Sequence, residues 1–216
     1  MESERRGRVQ SNPLLLRVAA ALAAMLLLGA RPSAEAVLRE APPGLAERLL
    51  AERVVLVEEG GGSGPESFIV ALVLFDQPPG RVAALLRAAE RQTEYRPERV
   101  GVRTVEEVPG GRIDEQRIRI LFRELVYRLR YEDDGGGRVT WSLAEGFDGD
   151  LARMRGFWEL HGFEQDPART LGRFGSDVDV GRGAPEFVQK GMARRTVVRY
   201  VENFRRWVDS GGARRP

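Results

Sequence analysis

His161 is the single histidine of this chain and there is no cysteine. Any nucleophilic triad or imidazole-based metal site would therefore have to be built on that one residue. On a strand, Glu159 and His161 share one face and Trp158 and Leu160 take the other. The Glu159–His161 face is expected to be solvated, and the histidine to be structural or exposed. Zinc sites require several Cys or His ligands, which the chain does not supply. Asp148 with Asp150, and Asp177 with Asp179, are spaced as oxygen donors for Ca²⁺, but neither pair sits in a loop ending in a bidentate glutamate. They read as turn and strand-surface carboxylates. The glycine run from Gly60 to Gly64 lacks the GK[ST] ending of a phosphate loop and leads into no helix, so a hairpin turn is expected. There is no G-x-S-x-G elbow and no H-E-x-x-H pair. No catalytic residue, metal or cofactor is expected.

The aromatic residues are more informative. Tyr127, Trp141, Trp158 and Tyr200 each combine an apolar body with one polar tip. They suit ordinary core packing, and they equally suit a cavity wall where a hydroxyl or indole N–H meets a polar group of a ligand. Val54 to Glu58 and Phe68 to Phe75 read as two strands around the Gly60–Pro65 turn. Pro78-Pro79-Gly80 breaks the second, and Val82, Leu85, Leu86 and Ala89 mark one face of a helix over Arg81–Gln92. About seventy residues of β character follow. Strands are predicted over Arg99–Val108, Arg117–Phe122, Leu125–Tyr131 and Val139–Leu143, then around Met154–Leu160 and Arg169–Val180. Asp133 to Gly137 forms a turn. Alternation along these strands marks a sheet with one buried face. Pro185 opens a last helix, in which Val188, Met192, Val197, Tyr200, Val201, Phe204, Trp207 and Val208 recur at helical spacing. Ser210-Gly211-Gly212 stops it.

The first residues belong to another function. A charged stretch with Arg5, Arg6 and Arg8 precedes an apolar run from Val18 to Ala30, and Ala34-Glu35-Ala36 supplies an A-x-A pattern. The run is shorter than the roughly 18 residues of a spanning helix. Residues 1–36 are thus expected to be a cleaved signal peptide, with the mature chain beginning at Val37 in a periplasmic or extracellular compartment. The chain carries 34 basic and 32 acidic residues, a formal charge of +2. Removing 1–36 takes away five Arg and three Glu and leaves 29 of each sign. A balanced surface of this kind does not suit nucleic-acid binding, which concentrates positive charge.

The element order, β-β-α, several strands, then a long helix, resembles the START/polyketide-cyclase-like (SRPBCC) superfamily. The coenzyme Q-binding and cyclase/dehydrase branches are the most similar. The likeness rests on FIVALVLFDQPPGRVAALL followed by Tyr95-Arg96-Pro97, on YRLRYEDDGGGRVTWSLAEG, and on GFWELHGFEQDPARTLGRFGSDVDV before the final helix. It implies an α+β helix-grip fold over residues 53–210, in which a curved antiparallel sheet wraps the C-terminal helix. Residues 37–52 would be a lead-in and 211–216 a disordered tail. The space between sheet and helix would form an apolar ligand cavity. Its implied walls are Phe68, Val70 and Leu72 on the early strand, and Ile118, Ile120, Tyr127 and Leu129 on the middle strands. Trp141, Leu143, Trp158 and Leu160 would follow on the later strands, with Met192, Val197 and Tyr200 on the helix. The resemblance implies a hydrophobic small molecule of lipid, quinone or polycyclic type as partner, with transient membrane contact. The alternative it implies is a cyclase or dehydratase that uses Tyr127, Tyr200 or a cavity carboxylate.

Overall fold

A computed structural model describes residues 31–57, 69–120, 122–179 and 186–213, without the side chains of 120 and 186–193. The Gly60–Pro65 turn, Phe68, the side chains of Ile120 and Met192, and the apolar run before Arg31 lie outside the described residues. Eight antiparallel strands form one sheet in the order β1-β2-β8-β7-β6-β5-β4-β3. They are β1 (Val54–Val57), β2 (Ile69–Phe75), β3 (Arg99–Val108), β4 (Gly111–Ile120), β5 (Arg123–Asp133), β6 (Arg138–Leu143), β7 (Arg153–Gly162) and β8 (Thr170–Asp179). Only the β2–β8 contact joins strands distant in sequence. Every other pairing joins strands consecutive in sequence, and β1 and β3 form the two edges.

Among the described residues four α-helices accompany the sheet: α1 (Ala34–Arg39), α2 (Leu45–Glu52), α3 (Pro79–Arg87) and α4 (Glu186–Asp209). Pro79 stands in the first turn of α3, where its missing N–H costs nothing. The helix predicted over Arg81–Gln92 divides: α3 stops at Ala88, and Ala89–Glu94 continues as a 3-10 helix. That change turns Ala89, Gln92 and Tyr95 into the interior, where all three are buried. α4 runs from Glu186 to Asp209, and the glycines after it do what the sequence requires of them. Gly211 and Gly212 take φ of +68° and +79°, and their N–H groups return to the carbonyls of Val208 and Trp207. Arg81 and Arg91 hold their carbonyl oxygens at 2.9 and 2.5 Å. Residues 211–213 are therefore part of the fold, where a tail was expected from 211 onward.

Two apolar layers lie on opposite faces of the sheet. The inner one joins α4 and α3 to the concave face through Val73, Phe75, Trp158, Phe174, Val201 and Phe204. The outer one joins α1 and α2 to Leu72, Leu74 and Leu171 through Ala34, Leu45 and Leu49. β2 is thus covered on both sides, and this is why its sequence is a continuous apolar run instead of an alternation. Residues 31–36 are built into the outer layer. Ser33 caps α1, Ala34 is fully buried, and Glu35 accepts the Glu164 N–H at 3.0 Å. Arg31 pairs with Asp134.

Candidate functional site

α4 is seated on the β2 end of the sheet, with β1 and β8 beside it. Its last turns are locked by aromatic contacts. Phe204 lies between Phe75, Tyr95 and Trp158, with ring centroids 5.8, 5.0 and 5.3 Å away. Trp207 stacks on Tyr95 at 4.9 Å and donates its indole N–H to Glu94 at 2.9 Å. The inner faces of β4, β5, β6 and β7 are less completely covered. Ile118, Tyr131, Leu143 and Met154 pack against the core yet stay partly exposed, as does Ile69 on β2.

The expected cavity residues divide accordingly. Tyr127, Leu129, Trp141, Trp158, Leu160, Val197 and Tyr200 are buried together on the inner face, and Ile118 and Leu143 flank them. Trp158 donates to the Tyr200 hydroxyl at 3.2 Å. Gly156 makes room for Trp141: a Cβ there would stand 2.2 Å from the indole ring. Leu72 is a correction. It packs on the outer face with α1 and α2, so β2 presents the odd-numbered residues Ala71, Val73 and Phe75 inward instead. Val70, two residues from Leu72, shares the outward parity and is buried there. A shift of one residue exchanges the two faces of a strand, and a run that is apolar throughout contains nothing to mark which face is inner.

The inner face also gathers polar groups that the alternating pattern conceals. Asp114 and Gln116, which precede Ile118 at the same parity, are both fully buried. Asp114 is held by Arg112 at 2.9 Å and by the Thr104 hydroxyl at 2.8 Å. Gln116 meets the Tyr131 hydroxyl at 2.8 Å through Nε2, leaving Oε1 without a partner. Arg99, opposite Ile118 in the β3–β4 register, is 3 % exposed. Arg96 lies over the Tyr200 ring at 3.8 Å. Burial pushes the phenols of Tyr95 and Tyr131 upward, against the opposing pull of Arg96 and Arg99, so both hold their protons at neutral pH. Asp114 and Gln116 lie before the strand expected from Arg117, because polar residues at inward positions break the alternation that marks a strand. Arg99 carried no signal of its burial.

His161 does lie with Glu159 opposite Trp158, but it is buried instead of solvated, because the segment before α1 covers it. Its Nδ1 is 3.0 Å from the Pro32 carbonyl oxygen. Burial holds its pKa below the ordinary 6.5, with the Pro32 contact and Glu159 opposing and Arg31 and Arg173 reinforcing. A histidine that binds its proton more weakly when folded contributes full stability above about 6.5 and loses it as pH falls toward the folded value. Melting temperatures measured from pH 8 to pH 5 should therefore drop more for the natural protein than for His161→Gln. Equal slopes would show that His161 titrates freely. One member of each aspartate pair is likewise accounted for. Asp177 is bound by Arg153 and Arg155 at 3.0 Å, and Asp150 accepts the Val126 N–H at 2.8 Å. No cluster of carboxylates and imidazole suited to a metal occurs among the described residues.

No protein-family model matches the chain, and no curated protein matches it. Solved structures do. A START superfamily protein from Mycobacterium smegmatis superposes with a TM-score of 0.57 at 15 % identity, over 66 % of this chain and 97 % of its own. The Zhui aromatase/cyclase from Streptomyces sp. R1128 gives 0.55 at 16 % identity, over 66 % and 93 %. A STAR-related lipid transfer protein from Xanthomonas axonopodis gives 0.55 at 14 % identity, over 72 % and 98 %. With an eight-stranded curved antiparallel sheet closed by a long C-terminal helix, this chain has the START/polyketide-cyclase-like, helix-grip fold.

Proposed function

We propose that the protein binds a hydrophobic small molecule of lipid, quinone or polycyclic type between the sheet and α4, and carries or sequesters it. One observation supports this reading above the others. α4 sits on β1, β2 and β8, while Ile118, Tyr131, Leu143 and Met154 across the concave face keep part of their apolar surface open. Apolar concave surface of this kind is where small ligands bind. Cyclase or dehydratase chemistry in the same place would need a free acid or base. Asp114 is already engaged by Arg112 and by the Thr104 hydroxyl. That engagement of the buried inner-face carboxylate supports binding over acid–base catalysis by Asp114.

Two substitutions test the reading. Leu160 is only 4 % exposed, whereas Leu143 is partly open. Leu160→Trp should overpack the interior and destabilise by about 1–3 kcal/mol. Leu143→Trp should change stability by no more than about 0.5 kcal/mol while filling the open space and weakening ligand binding. The measurements are urea denaturation and titration of tryptophan fluorescence with a fatty acid, a sterol and a quinone. Loss of stability in both variants, with no ligand shifting fluorescence or melting, would mean a fully packed interior.

We also propose that the protein is exported on the charged and apolar stretch that precedes Arg31, with the leader ending before Arg31 and not after Ala36. The contacts of Ser33, Ala34 and Glu35 with the outer layer support that placement.

A further inference from the structure

Among the described residues the buried carboxylates are paired, and a buried guanidinium is not. Asp114 has Arg112, and Asp177 has Arg153 and Arg155. Arg99 is as deeply buried, yet its Nε and Nη1 have no hydrogen-bond partner, and no carboxylate among the described residues pairs with it. A guanidinium largely withdrawn from water without an anion is destabilising, and a ligand that supplies the missing negative charge would offset that cost. The groups around Arg99 are of the same kind. Its charge and that of Arg96 reach the hydroxyls of Tyr95 and Tyr131. Gln116 on the neighbouring strand has a free Oε1, and Arg96 has a free Nε. Trp141, whose ring centroid is 6.2 Å from that of Tyr131, has a buried indole N–H with no acceptor. Turning the Gln116 amide over keeps its 2.8 Å contact, with Tyr131 then donating, and frees Nε2 as one more donor.

We propose that this inner-face cluster is a head-group subsite: the ligand carries an oxyanion, a carboxylate in the simplest case, which Arg99 receives with Arg96, Gln116 and Trp141 as supporting donors. The inference rests on the binding reading above and adds the chemistry of the ligand's polar end. The guanidinium fork matches a carboxylate in two hydrogen bonds. The body of such a ligand lies against Tyr127, Tyr131, Trp141 and Tyr200, so a flat or flexible apolar body with one terminal acid fits the surroundings. A neutral quinone or sterol would leave the Arg99 charge uncompensated.

Pyrenebutyrate and pyrenebutanol share one apolar body and differ only in the head, and both report binding through energy transfer from tryptophan. The full-length protein should bind the acid at least about tenfold more tightly than the alcohol, the scale of one charge-assisted hydrogen-bonded pair. Arg99→Met should bring the two affinities together, chiefly by weakening the acid. Without ligand, Arg99→Met should melt at or above the natural protein's temperature, since an uncompensated charge has been removed. Saturable binding of both probes with equal affinity would overturn the head-group subsite and leave the binding reading standing. A preference that persists in Arg99→Met or Arg99→Gln would overturn the role of Arg99. Failure of both probes to bind would overturn the subsite and the binding reading together. The acid-to-alcohol ratio of the natural protein needs no variant, so poor folding of either substitution would not blunt the test.

Discussion

A chain ended at Gly183 is expected to lose cooperative folding altogether. The described part of α4 contributes six buried apolar side chains to the inner layer: Val197, Tyr200, Val201, Phe204, Trp207 and Val208. At roughly 1.5–3 kcal/mol each, their burial is worth about 9–18 kcal/mol. That equals or exceeds the whole net stability of an ordinary domain, roughly 5–15 kcal/mol. The truncation would also uncover Phe75, Tyr95, Trp158 and Phe174, an apolar patch of the kind that drives aggregation. A single substitution probes the same packing more gently. Trp207→Ala should cost about 3–5 kcal/mol, since it empties the space against Tyr95 and Phe204 and leaves Glu94 without its indole donor. Near-UV circular dichroism and urea denaturation measure both. A truncated chain that stays soluble and melts sharply would mean that the sheet buries its concave face without α4.

The second large effect is expected at the other end. A chain beginning at Val37 should be less stable than one beginning at Arg31 by about 2–4 kcal/mol, from the lost N-cap of α1 and the apolar surface it exposes. Only three residues of α1 would remain, too few to keep a helical turn closed. Leu45, Leu49, Leu72 and Leu171 would be left partly uncovered, and His161 would lose both its cover and the Pro32 carbonyl. The comparison needs two purified proteins and their melting curves. Intact mass of protein recovered outside the producing cell then tests the processing proposal. A mass that starts at Val37, joined to equal stability of the two chains, would return the cut to the A-x-A pattern. A mass that starts at Met1 would remove the export proposal.

Periodicity made most of the architecture legible in advance. α4 was readable because its apolar stripe must face one way for several turns, and its glycine stop because only glycine adopts positive φ without strain. The later strands were readable for a related reason. Tyr127, Leu129 and Tyr131 alternate with arginines, and a strand with one wet face can be paired in only one parity without putting charge in the core. That logic placed Tyr127, Leu129, Trp141, Trp158 and Leu160 correctly on the inner face. The start of β4 at Gly111 was not marked, because Arg112, Asp114 and Gln116 are polar at the inward positions and break the alternation.

Other features were decided only by tertiary contacts. β2 is apolar on both sides, so the sequence holds no preference between Val70 with Leu72 and Ala71 with Val73. The arrival of α1 and α2 on one face and α4 on the other settles it. Glu159 and His161 sit on the face a lone strand would expose, and the segment around Pro32 covers the histidine from more than a hundred residues away in sequence. Arg99 is the extreme case. One arginine among many in a charged sequence is indistinguishable from its neighbours by type or spacing. Its burial without a carboxylate partner among the described residues arises only when β3 and β4 close over Tyr95 and Tyr131, since burial belongs to the assembled surface and not to the residue.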